Sequence, residues 1–242
     1  MRINVVIQAR TGSTRLPGKV LEDLGGHPVL EWVVRAAKAA TQIDTVIVAT
    51  STLAGDDVVA DLADSLGVPV VRGSEDDVLS RYVAALDAHP ADAIVRLTAD
   101  CPLLDPSLID AVAGAWAASP THDYVSTLVS RCLPRGLDVE LVTAQALRAV
   151  DRIAVGHDRV HVTSLLYAQP TAYRLLGVCV TPPANDLRVT LDTQEDLVLL
   201  RALVAELPDA PPAWNDVVAV LRSRPDLVAI NSAIKQKPLA AG

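Results

Sequence analysis

The chain has 242 residues, half of them hydrophobic, and a formal net charge of −8 at pH 7. This composition excludes disorder for most of the chain and supplies enough apolar residues for a sizeable core, while the acidic balance argues against a broad basic face for nucleic acid or a membrane. No stretch approaches the roughly 20 apolar residues of a membrane span or the apolar run of a signal peptide, and three widely spaced cysteines indicate reduced thiols in a cytoplasmic protein.

The first half of the chain alternates strand-like and helix-like segments. The strand-like segments are INVVIQ, DTVIVAT, VPVVRG and DAIVRLT, and the helix-like segments are HPVLEWVVRAAKAA, GDDVVADLADSLG, EDDVLSRYVAALDAH and PSLIDAVAGAWAAS. Strands that are apolar on both faces and separated by helices indicate a parallel sheet with right-handed crossovers. The pattern predicts an α/β fold with a Rossmann-like, mostly parallel sheet flanked by helices, whose ligands bind at the carboxyl ends of the strands.

The alternation changes after about residue 120. DYVSTLVS, LPRGLDVELV and YRLLGVCVT have the pattern of strands in a mixed or antiparallel patch, with the helix DRVHVTSLLYAQ between them. The strand DLRVTLDT and the helix QEDLVLLRALVAEL restore the α/β pattern, and a short proline-rich turn precedes a last small helix. We predict one domain over residues 1–232, with an inserted antiparallel β subregion at 120–190, and a flexible tail over 233–242.

The stretch QARTGSTRLPGKVL follows the first strand and carries three cations within ten residues. A P-loop is excluded because five residues, not four, separate Gly12 from Gly18, and the residue after Lys19 has no hydroxyl for magnesium. Gly12 lets backbone N–H groups approach an anion, and Arg10, Arg15 and Lys19 supply charged donors. The stretch predicts a cradle for a triphosphate whose pyrophosphate leaves; the alternative is a solvated basic loop.

Two aspartates end predicted strands. Asp100 follows DAIVRLT by one residue, and Asp192 lies at the end of DLRVTLDT. Such carboxylates suit Mg²⁺, which usually takes one or two of them besides phosphate oxygens and water. The alternative is a turn or capping role, although Asp105 is the better cap for the helix after Asp100, and Thr193 with Asp196 can cap the helix after Asp192.

A family resemblance joins these segments. QARTGSTRLPGKVL, ATS…DD, RGSEDDVLSRY, RLTADCPLLDP, GLDVE, HVTSLLY and LDTQEDL stand in the order found in the spore-coat polysaccharide cytidylyltransferase-like family, which is related to the CMP-sugar synthetases for ketodeoxyoctonate and nonulosonate. The chain resembles this family from residue 3 to about residue 231. The resemblance implies the nucleotide-diphospho-sugar transferase type of fold. It also implies a Mg²⁺-dependent enzyme that transfers CMP from CTP to an anionic acceptor, and a homodimer paired through the inserted strands.

The resemblance also implies roles for individual residues. The implied nucleotide contacts are Ala9, Arg10, Gly12, Ser13, Arg15 and Lys19 at the triphosphate, and Arg72, Ser74 and Arg81 at the cytosine and ribose. The implied acceptor contacts are Arg135, Asp138, Glu140, Arg159 and His161. The implied metal ligands are Asp100 and Asp192, which together with Arg10 and Lys19 are the implied catalytic residues. His161 has the alternative role of a helix histidine with its hydrogen bonds satisfied.

Three positions depart from the family pattern. Thr11 stands where the family usually has an apolar residue, Ala99 stands where glycine is common, and Val160 replaces the glutamate of an Arg-Glu-His triplet. The last departure leaves the acceptor open among a sugar acid, a sugar phosphate and a phosphonate. Two other functions remain as alternatives. One is a nucleotide-sugar-dependent glycosyltransferase, but ADCPL lacks the D-x-D metal site that such an enzyme needs. The other is a non-catalytic nucleotide-binding module, but the basic loop and both strand-end aspartates argue against it.

Overall fold

The computed structural model describes residues 1–234, so residues 235–242 of the predicted tail lie outside the described residues. Within 1–234, every helix is too short or too polar to span a bilayer. The strands are β1 (Ile3–Gln8), β2 (Asp23–Leu24), β3 (His27–Pro28), β4 (Thr45–Ser51), β5 (Val70–Gly73), β6 (Ala93–Thr98), β7 (Tyr124–Ser126), β8 (Glu140–Thr143) and β9 (Leu175–Gly177). The helices are α1 (Val29–Ala39), α2 (Asp57–Ser65), α3 (Val78–Ala88), α4 (Pro106–Ala118), α5 (Ala144–Ile153), α6 (His157–Val160), α7 (Ser164–Ala168), α8 (Gln194–Val204), α9 (Trp214–Ser223) and α10 (Pro225–Asn231).

Seven strands form one sheet in the order β5-β4-β1-β6-β8-β7-β9, and β2 pairs with β3 in a separate hairpin. Strands β5, β4, β1 and β6 are parallel, β8 runs antiparallel to both β6 and β7, and β9 runs parallel to β7. This arrangement confirms the predicted α/β class, with a parallel first half and antiparallel pairing in the second. The carboxyl ends of β1 and β6 lie side by side at the middle of the sheet.

The core explains why the first-half strands are apolar throughout. In β1, Val5 and Ile7 pack into one hydrophobic cluster, whereas Val6 packs into a second cluster. All three side chains are fully buried. Because successive side chains of a strand point to opposite faces, the sheet separates two cores and covers both faces of β1 with protein.

Two predicted elements of the second half are corrected by the structure. DRVHVTSLLYAQ is two short helices, α6 and α7, separated at Val162, which has a φ of 48° that a β-branched residue rarely adopts. DLRVTLDT forms no regular strand, because its sole ladder contact among the described residues is an isolated parallel bridge between Arg135 and Arg188.

Smaller differences concern helix ends. The predicted helical segment HPVLEWVVRAAKAA begins two residues too early, because His27 and Pro28 pair in the β2–β3 hairpin and α1 starts at Val29. Helix α5 was not among the predicted helices; it begins directly after β8 without a turn, and the Thr143 side chain accepts a hydrogen bond from the backbone N–H of Ala146 as its cap. The last small helix is in fact two helices, α9 and α10.

The predicted caps Asp105 of α4 and Thr193 of α8 are confirmed, the second as a capping box with Asp196.

Candidate active site

Two adjoining cavities open at the carboxyl ends of β1 and β6. The smaller, here the loop cavity, measures about 340 Å³ and is lined by the basic loop after β1. The larger, here the wide cavity, measures about 930 Å³ and is lined mainly by residues after position 120. The residues that line both cavities are Gln8, Arg15, Arg96, Thr98, Asp100, His161 and Asp192. Their boundary therefore contains both Asp100 and Asp192.

The basic loop folds back on the carbonyl oxygen of Thr11. This oxygen accepts hydrogen bonds from the backbone N–H groups of Ser13, at 2.8 Å, and Gly18, at 2.9 Å. Gly18 has a φ of 71°, a left-handed conformation that glycine adopts without a Cβ penalty. Arg10 lies 3.3 Å from the Glu75 carboxylate across the cavity mouth. The internal hydrogen bonds of the loop thus define its shape.

Asp56 anchors this loop to the end of β4. The carboxylate accepts the backbone N–H and the hydroxyl of Thr11, both at 2.7 Å, and its second oxygen accepts the hydroxyl of Ser51. Burial would raise the pKa of Asp56, but these hydrogen bonds hold it below its ordinary value. Thr11, which departs from the family pattern, therefore has a structural role through its hydroxyl. The segment ATS…DD contains Asp56, but only the fold shows that it reaches Thr11.

Lys19 lies between Asp100 and Asp192. Its Nζ donates to Asp100 Oδ2 at 2.7 Å, to Asp192 Oδ1 at 2.9 Å and to the carbonyl oxygen of Leu191 at 2.7 Å. Only 9% of Lys19 is exposed, and burial would lower its pKa, but the two carboxylates outweigh that effect and raise the pKa above its ordinary value. One ammonium therefore holds both carboxylates together.

Asp192 is surrounded by cations. Arg15 and Arg188 each approach Oδ2 at 2.9 Å, opposite the Lys19 contact at Oδ1. Burial would raise the pKa of Asp192, but Lys19, Arg188 and Arg15 lower it to about 2. The carboxylate is therefore ionised at neutral pH.

We expect Asp192 to make the stability of the fold depend on acidic pH. Because its pKa is about 2 when folded against an ordinary value of 3.8, its ionisation contributes about 2 kcal/mol of stability. With a lowered folded pKa, this contribution is complete above about pH 5 and is lost as the pH falls through 4 toward 2. Urea unfolding of wild type and Asp192→Asn measures it. The unfolding free energy of wild type minus that of Asp192→Asn should fall by about 1 kcal/mol between pH 6 and pH 3. An unchanged difference would contradict the lowered pKa of Asp192.

The donor set at this point fits a divalent cation. Asp100 and Asp192 both accept hydrogen bonds from the Lys19 ammonium, so the fold places two carboxylates around one positive charge. Among residues 1–234 there is no group of three or more His, Cys, Asp or Glu side chains that could hold a metal. Two carboxylates, with the remaining ligands from phosphate and water, are what Mg²⁺ usually takes.

Arg81 is a buried cation with unpartnered donors in the wall of the loop cavity. It is 2% exposed, and within the described residues its Nε and Nη1 have no hydrogen-bond partner. Burial lowers the pKa of this guanidinium. Gly73 makes room for it, because a Cβ there would lie 2.8 Å from Arg81 Cγ. Unpaired buried donors are costly, so this side chain points to a ligand that supplies acceptors.

Arg72 and Ser74, the other residues implied at the base, do not line either cavity. Arg72 donates to the carbonyl oxygens of Ser51, at 2.8 Å, and Leu53, at 3.0 Å, and pairs with Asp57 at 2.7 Å. The Ser74 hydroxyl accepts the backbone N–H of Asp77 at 3.1 Å. These contacts brace the ends of β4 and β5, and the implied contacts of both residues with the cytosine and ribose stay predictions.

Glu140 was implied as an acceptor contact, but both of its oxygens have protein partners. Oε1 accepts from Arg96, and Oε2 accepts from the hydroxyls of Tyr124, at 2.6 Å, and Thr163, at 2.5 Å. Glu140 is 3% exposed. It lies in the wall of the wide cavity chiefly as the partner that orients Arg96.

Arg96 is the functional candidate that sequence reasoning missed. Its Nε donates to Gln8 Oε1 at 3.2 Å and its Nη1 donates to Glu140, whereas its Nη2 has no hydrogen-bond partner among the described residues. Burial would lower the pKa of Arg96, but Glu140 raises it above its ordinary value. A fixed guanidinium that lines both cavities can bind an anion at their boundary. The available signal was a lone arginine inside the apolar strand DAIVRLT.

The remaining acceptor-side residues divide into two groups. Arg131 holds Asp138 with hydrogen bonds of 2.7 and 3.3 Å, and burial raises the pKa of Asp138 despite this pairing. Asp138 lines the wide cavity, and His161 lines both cavities. Arg159 lines neither and pairs with Asp77 at 2.8 Å and Asp151 at 2.9 Å. Its implied acceptor contact stays a prediction.

Arg135 is the cation of the wide cavity whose side chain has no ion pair or hydrogen bond among the described residues. Burial, together with nearby Arg131, lowers its pKa. Its backbone is fixed by hydrogen bonds to the carbonyl oxygen of Leu187, at 3.0 Å, and from the N–H of Val189, at 2.7 Å. An unpaired, partly buried guanidinium suits an anionic group of a ligand.

We expect Gly136→Ala to destabilise the fold by at least about 2 kcal/mol. Gly136 has a φ of 105°, and an added Cβ would lie 2.5 Å from the backbone nitrogen of Thr190 and 2.6 Å from the carbonyl carbon of Val189. Neither backbone atom can move away cheaply. Denaturant unfolding measures the loss. Gly114→Ala, in α4 with no atom within 4 Å, is the control and should be neutral or stabilising; equal behaviour of the two variants would refute the clash.

Comparison with known proteins agrees with this geometry. The model of the family described as Cytidylyltransferase matches residues 4–210. The spore coat polysaccharide biosynthesis protein SpsF of Bacillus subtilis is 34% identical over 91% of this chain and 94% of its own length. A 3-deoxy-manno-octulosonate cytidylyltransferase of Acidobacterium capsulatum is 34% identical over 64% of each chain. The solved structure of a cytidylyltransferase from Leptospira borgpetersenii has 28% identity and a TM-score of 0.92, covering 98% of this chain and 100% of that one.

Proposed function

Because this chain belongs to the cytidylyltransferase family, we propose that it transfers CMP from CTP to a small anionic acceptor and releases pyrophosphate. The observation that carries the proposal is the convergence of Lys19, Asp100 and Asp192 at the boundary of the loop cavity and the wide cavity. A nucleotide bound on one side and an acceptor on the other would meet there.

The loop cavity is the proposed CTP site. Arg10, Arg15 and Lys19 supply the positive charge for the triphosphate, along with the backbone of Ala9, Gly12 and Ser13. The unpartnered donors of Arg81 suit cytosine, which presents two adjacent acceptors, O2 and N3. Uracil carries a donor at N3, and a site built for acceptors rejects a misplaced donor because buried groups are then left unpaired.

The wide cavity is the proposed acceptor site. Arg135 would bind the anionic group of the acceptor, and Asp138 and His161 would contact its hydroxyl groups. The octulosonate named for the relative from Acidobacterium capsulatum is a sugar acid, so a sugar acid is the first acceptor class we propose. A sugar phosphate and a phosphonate are the other two classes that one guanidinium would bind.

The chemistry needs positioning and charge neutralisation. An ionised oxygen of the acceptor attacks the α-phosphorus, a new P–O bond forms, and the bond to the bridging oxygen of the β-phosphate breaks, so that pyrophosphate leaves. Arg10, Arg15 and Lys19 are the groups that would neutralise the leaving charge, and Arg96 lies where the attacking group would arrive. Magnesium held by Asp100 and Asp192 would supply charge neutralisation and alignment of the reacting oxygens.

The assembly and location of the protein belong to the same proposal. We propose one domain over residues 1–232, with residues 120–190 on the acceptor side, acting as a cytoplasmic homodimer. Support for the dimer comes from β9, which is an edge strand of the seven-stranded sheet and offers unpaired backbone groups to a second copy. Sedimentation of the pure protein tests it: a dimer is expected, and a monomer at micromolar concentration would contradict it.

The function is tested first by thermal stabilisation with CTP, UTP, ATP and GTP in the presence of Mg²⁺. We expect CTP to stabilise the protein most, and stabilisation by another nucleotide but not CTP would refute the base assignment. Pyrophosphate release is then measured against sugar acids, sugar phosphates and phosphonates. Stabilisation by a nucleotide sugar with glycosyl transfer would favour the glycosyltransferase alternative, and CTP binding without turnover on any acceptor would favour a non-catalytic module.

A further inference from the structure

The last two helices of the described chain reach both loops that carry the candidate metal ligands. The family match ends at residue 210, so α9 and α10 lie beyond it. At the start of α9, the backbone N–H of Trp214 donates at 2.8 Å to Asp105, which follows Asp100 in the same loop. The other oxygen of Asp105 accepts the N–H of Ser107 and caps α4. The start of α9 is therefore fixed to the Asp100 loop.

The end of α10 contacts the second loop through Asp196, a carboxylate with no exposed surface. Asn231, 4% exposed, donates from Nδ2 to Asp196 Oδ1 at 2.8 Å. The backbone N–H groups of Asp192 and Thr193 donate to Asp196 Oδ2 at 2.9 and 3.1 Å. A hydrogen-bonded path therefore runs from α10 to the backbone of a candidate metal ligand.

A second path reaches the carboxylate of that ligand. Arg188 donates to both oxygens of Asp196, at 2.9 and 3.0 Å, and its Nη2 also donates to Asp192 Oδ2 at 2.9 Å. Asp196 therefore fixes the position of the Arg188 guanidinium, and Arg188 in turn fixes the position of the Asp192 carboxylate. A buried carboxylate depends on every donor it has, so loss of the Asn231 amide leaves Asp196 short of one partner and free to shift.

We propose that Asn231 is a positioning residue, which holds Asp192 opposite Asp100 through Asp196 and Arg188 so that the pair can share a divalent cation. The inference rests on the proposed function, since it requires metal binding by Asp100 and Asp192. Partners that orient metal ligands from behind typically change metal affinity by 10- to 100-fold when removed. Because Asn231 acts through two intervening residues, we expect the lower end of that range.

The test measures metal binding without turnover. Calorimetric titration of CTP at increasing Mn²⁺ gives the Mn²⁺ concentration that half-maximally tightens CTP binding. Asn231→Ala should need about 10-fold more Mn²⁺ than wild type. Pyrophosphate release by the variant should recover toward the wild-type rate as Mn²⁺ is raised, which a merely loosened fold would not do.

Leu227→Ala is the matched control. Leu227 lies on the same helix, is 4% exposed and packs in the core, and makes no hydrogen bond to Asp196. It should lower thermal stability at least as much as Asn231→Ala while leaving the half-maximal Mn²⁺ concentration within about 2-fold of wild type. The inference would be overturned if Asn231→Ala and wild type had equal half-maximal Mn²⁺ concentrations, or if both variants shifted that concentration equally. Either result would leave the proposed function standing. Wild type that binds CTP with no Mn²⁺ dependence would overturn the metal site of the proposed function, and the inference with it.

Discussion

Asp100→Asn is expected to lose metal-dependent pyrophosphate release by about 10³-fold or more while keeping its fold. The substitution preserves the shape of the side chain but removes one of the two negative charges that converge beside Lys19. A site with two carboxylates loses half of its anionic ligands in this variant, whereas the Lys19 contact with Asp192 remains to hold the loop. Initial rates at saturating CTP, measured over a range of Mg²⁺ concentrations, test this expectation.

Asp186→Asn is the matched control for this substitution. Asp186 is an exposed aspartate that pairs with Arg222 and does not line either cavity. It should release pyrophosphate at close to the wild-type rate. Near-normal turnover by Asp100→Asn, with thermal stability equal to that of the control, would contradict the assignment of Asp100 as a metal ligand.

Lys19→Ala is expected to lower kcat/KM for CTP roughly 30- to 1000-fold. This corresponds to a loss of about 2–4 kcal/mol of transition-state stabilisation. In the proposed function Lys19 would neutralise negative charge of the triphosphate, and in this structure it donates to both Asp100 and Asp192. Without it, two carboxylates face each other across a partly buried gap, and like charges in such a gap repel. The loss should appear in kcat as well as in KM, because both substrate binding and the leaving group are affected.

Lys38→Ala separates the specific effect from a general loss of positive charge. Lys38 is an exposed lysine on α1 that donates to the carbonyl oxygen of Leu66 and lines neither cavity. This control should keep the wild-type kcat/KM. An equally small change in Lys19→Ala would mean that the basic loop does not contact the triphosphate.

The sequence predicts much of this fold because the relevant signals are local. The strands β1, β4 and β6 are short apolar runs with buried residues on both faces, and the caps Asp105 and Thr193 lie next to the helices they begin. The position of Asp100 just after β6 follows from the same local pattern. Asp192 reaches Asp100 from an irregular segment, in which the backbone N–H of Leu191 donates to the carbonyl oxygen of Asp100 at 2.8 Å and Lys19 contacts both carboxylates.

The parts that sequence reasoning missed depend on contacts between distant segments. Arg96 becomes a functional candidate only when β8 places Glu140 beside it, 44 positions along the chain. Asp56 matters only because the loop after β1 reaches it. The segment DLRVTLDT has a strand-like composition, yet its backbone bonds are made with single residues such as Arg135 and Asp100, so no ladder forms.

The central claim is that the chain joins the α-phosphate of CTP to an acceptor. CTP labelled with ³²P at the α-phosphorus, and separately at the γ-phosphorus, tests it most directly when incubated with Mg²⁺ and the acceptor that gives the highest turnover. We predict that the α label appears in the acceptor conjugate and the γ label in pyrophosphate, in equal amounts. The claim would be contradicted if the γ label appeared in orthophosphate or in the conjugate. It would also be contradicted if the conjugate formed from α-labelled CTP carried no label.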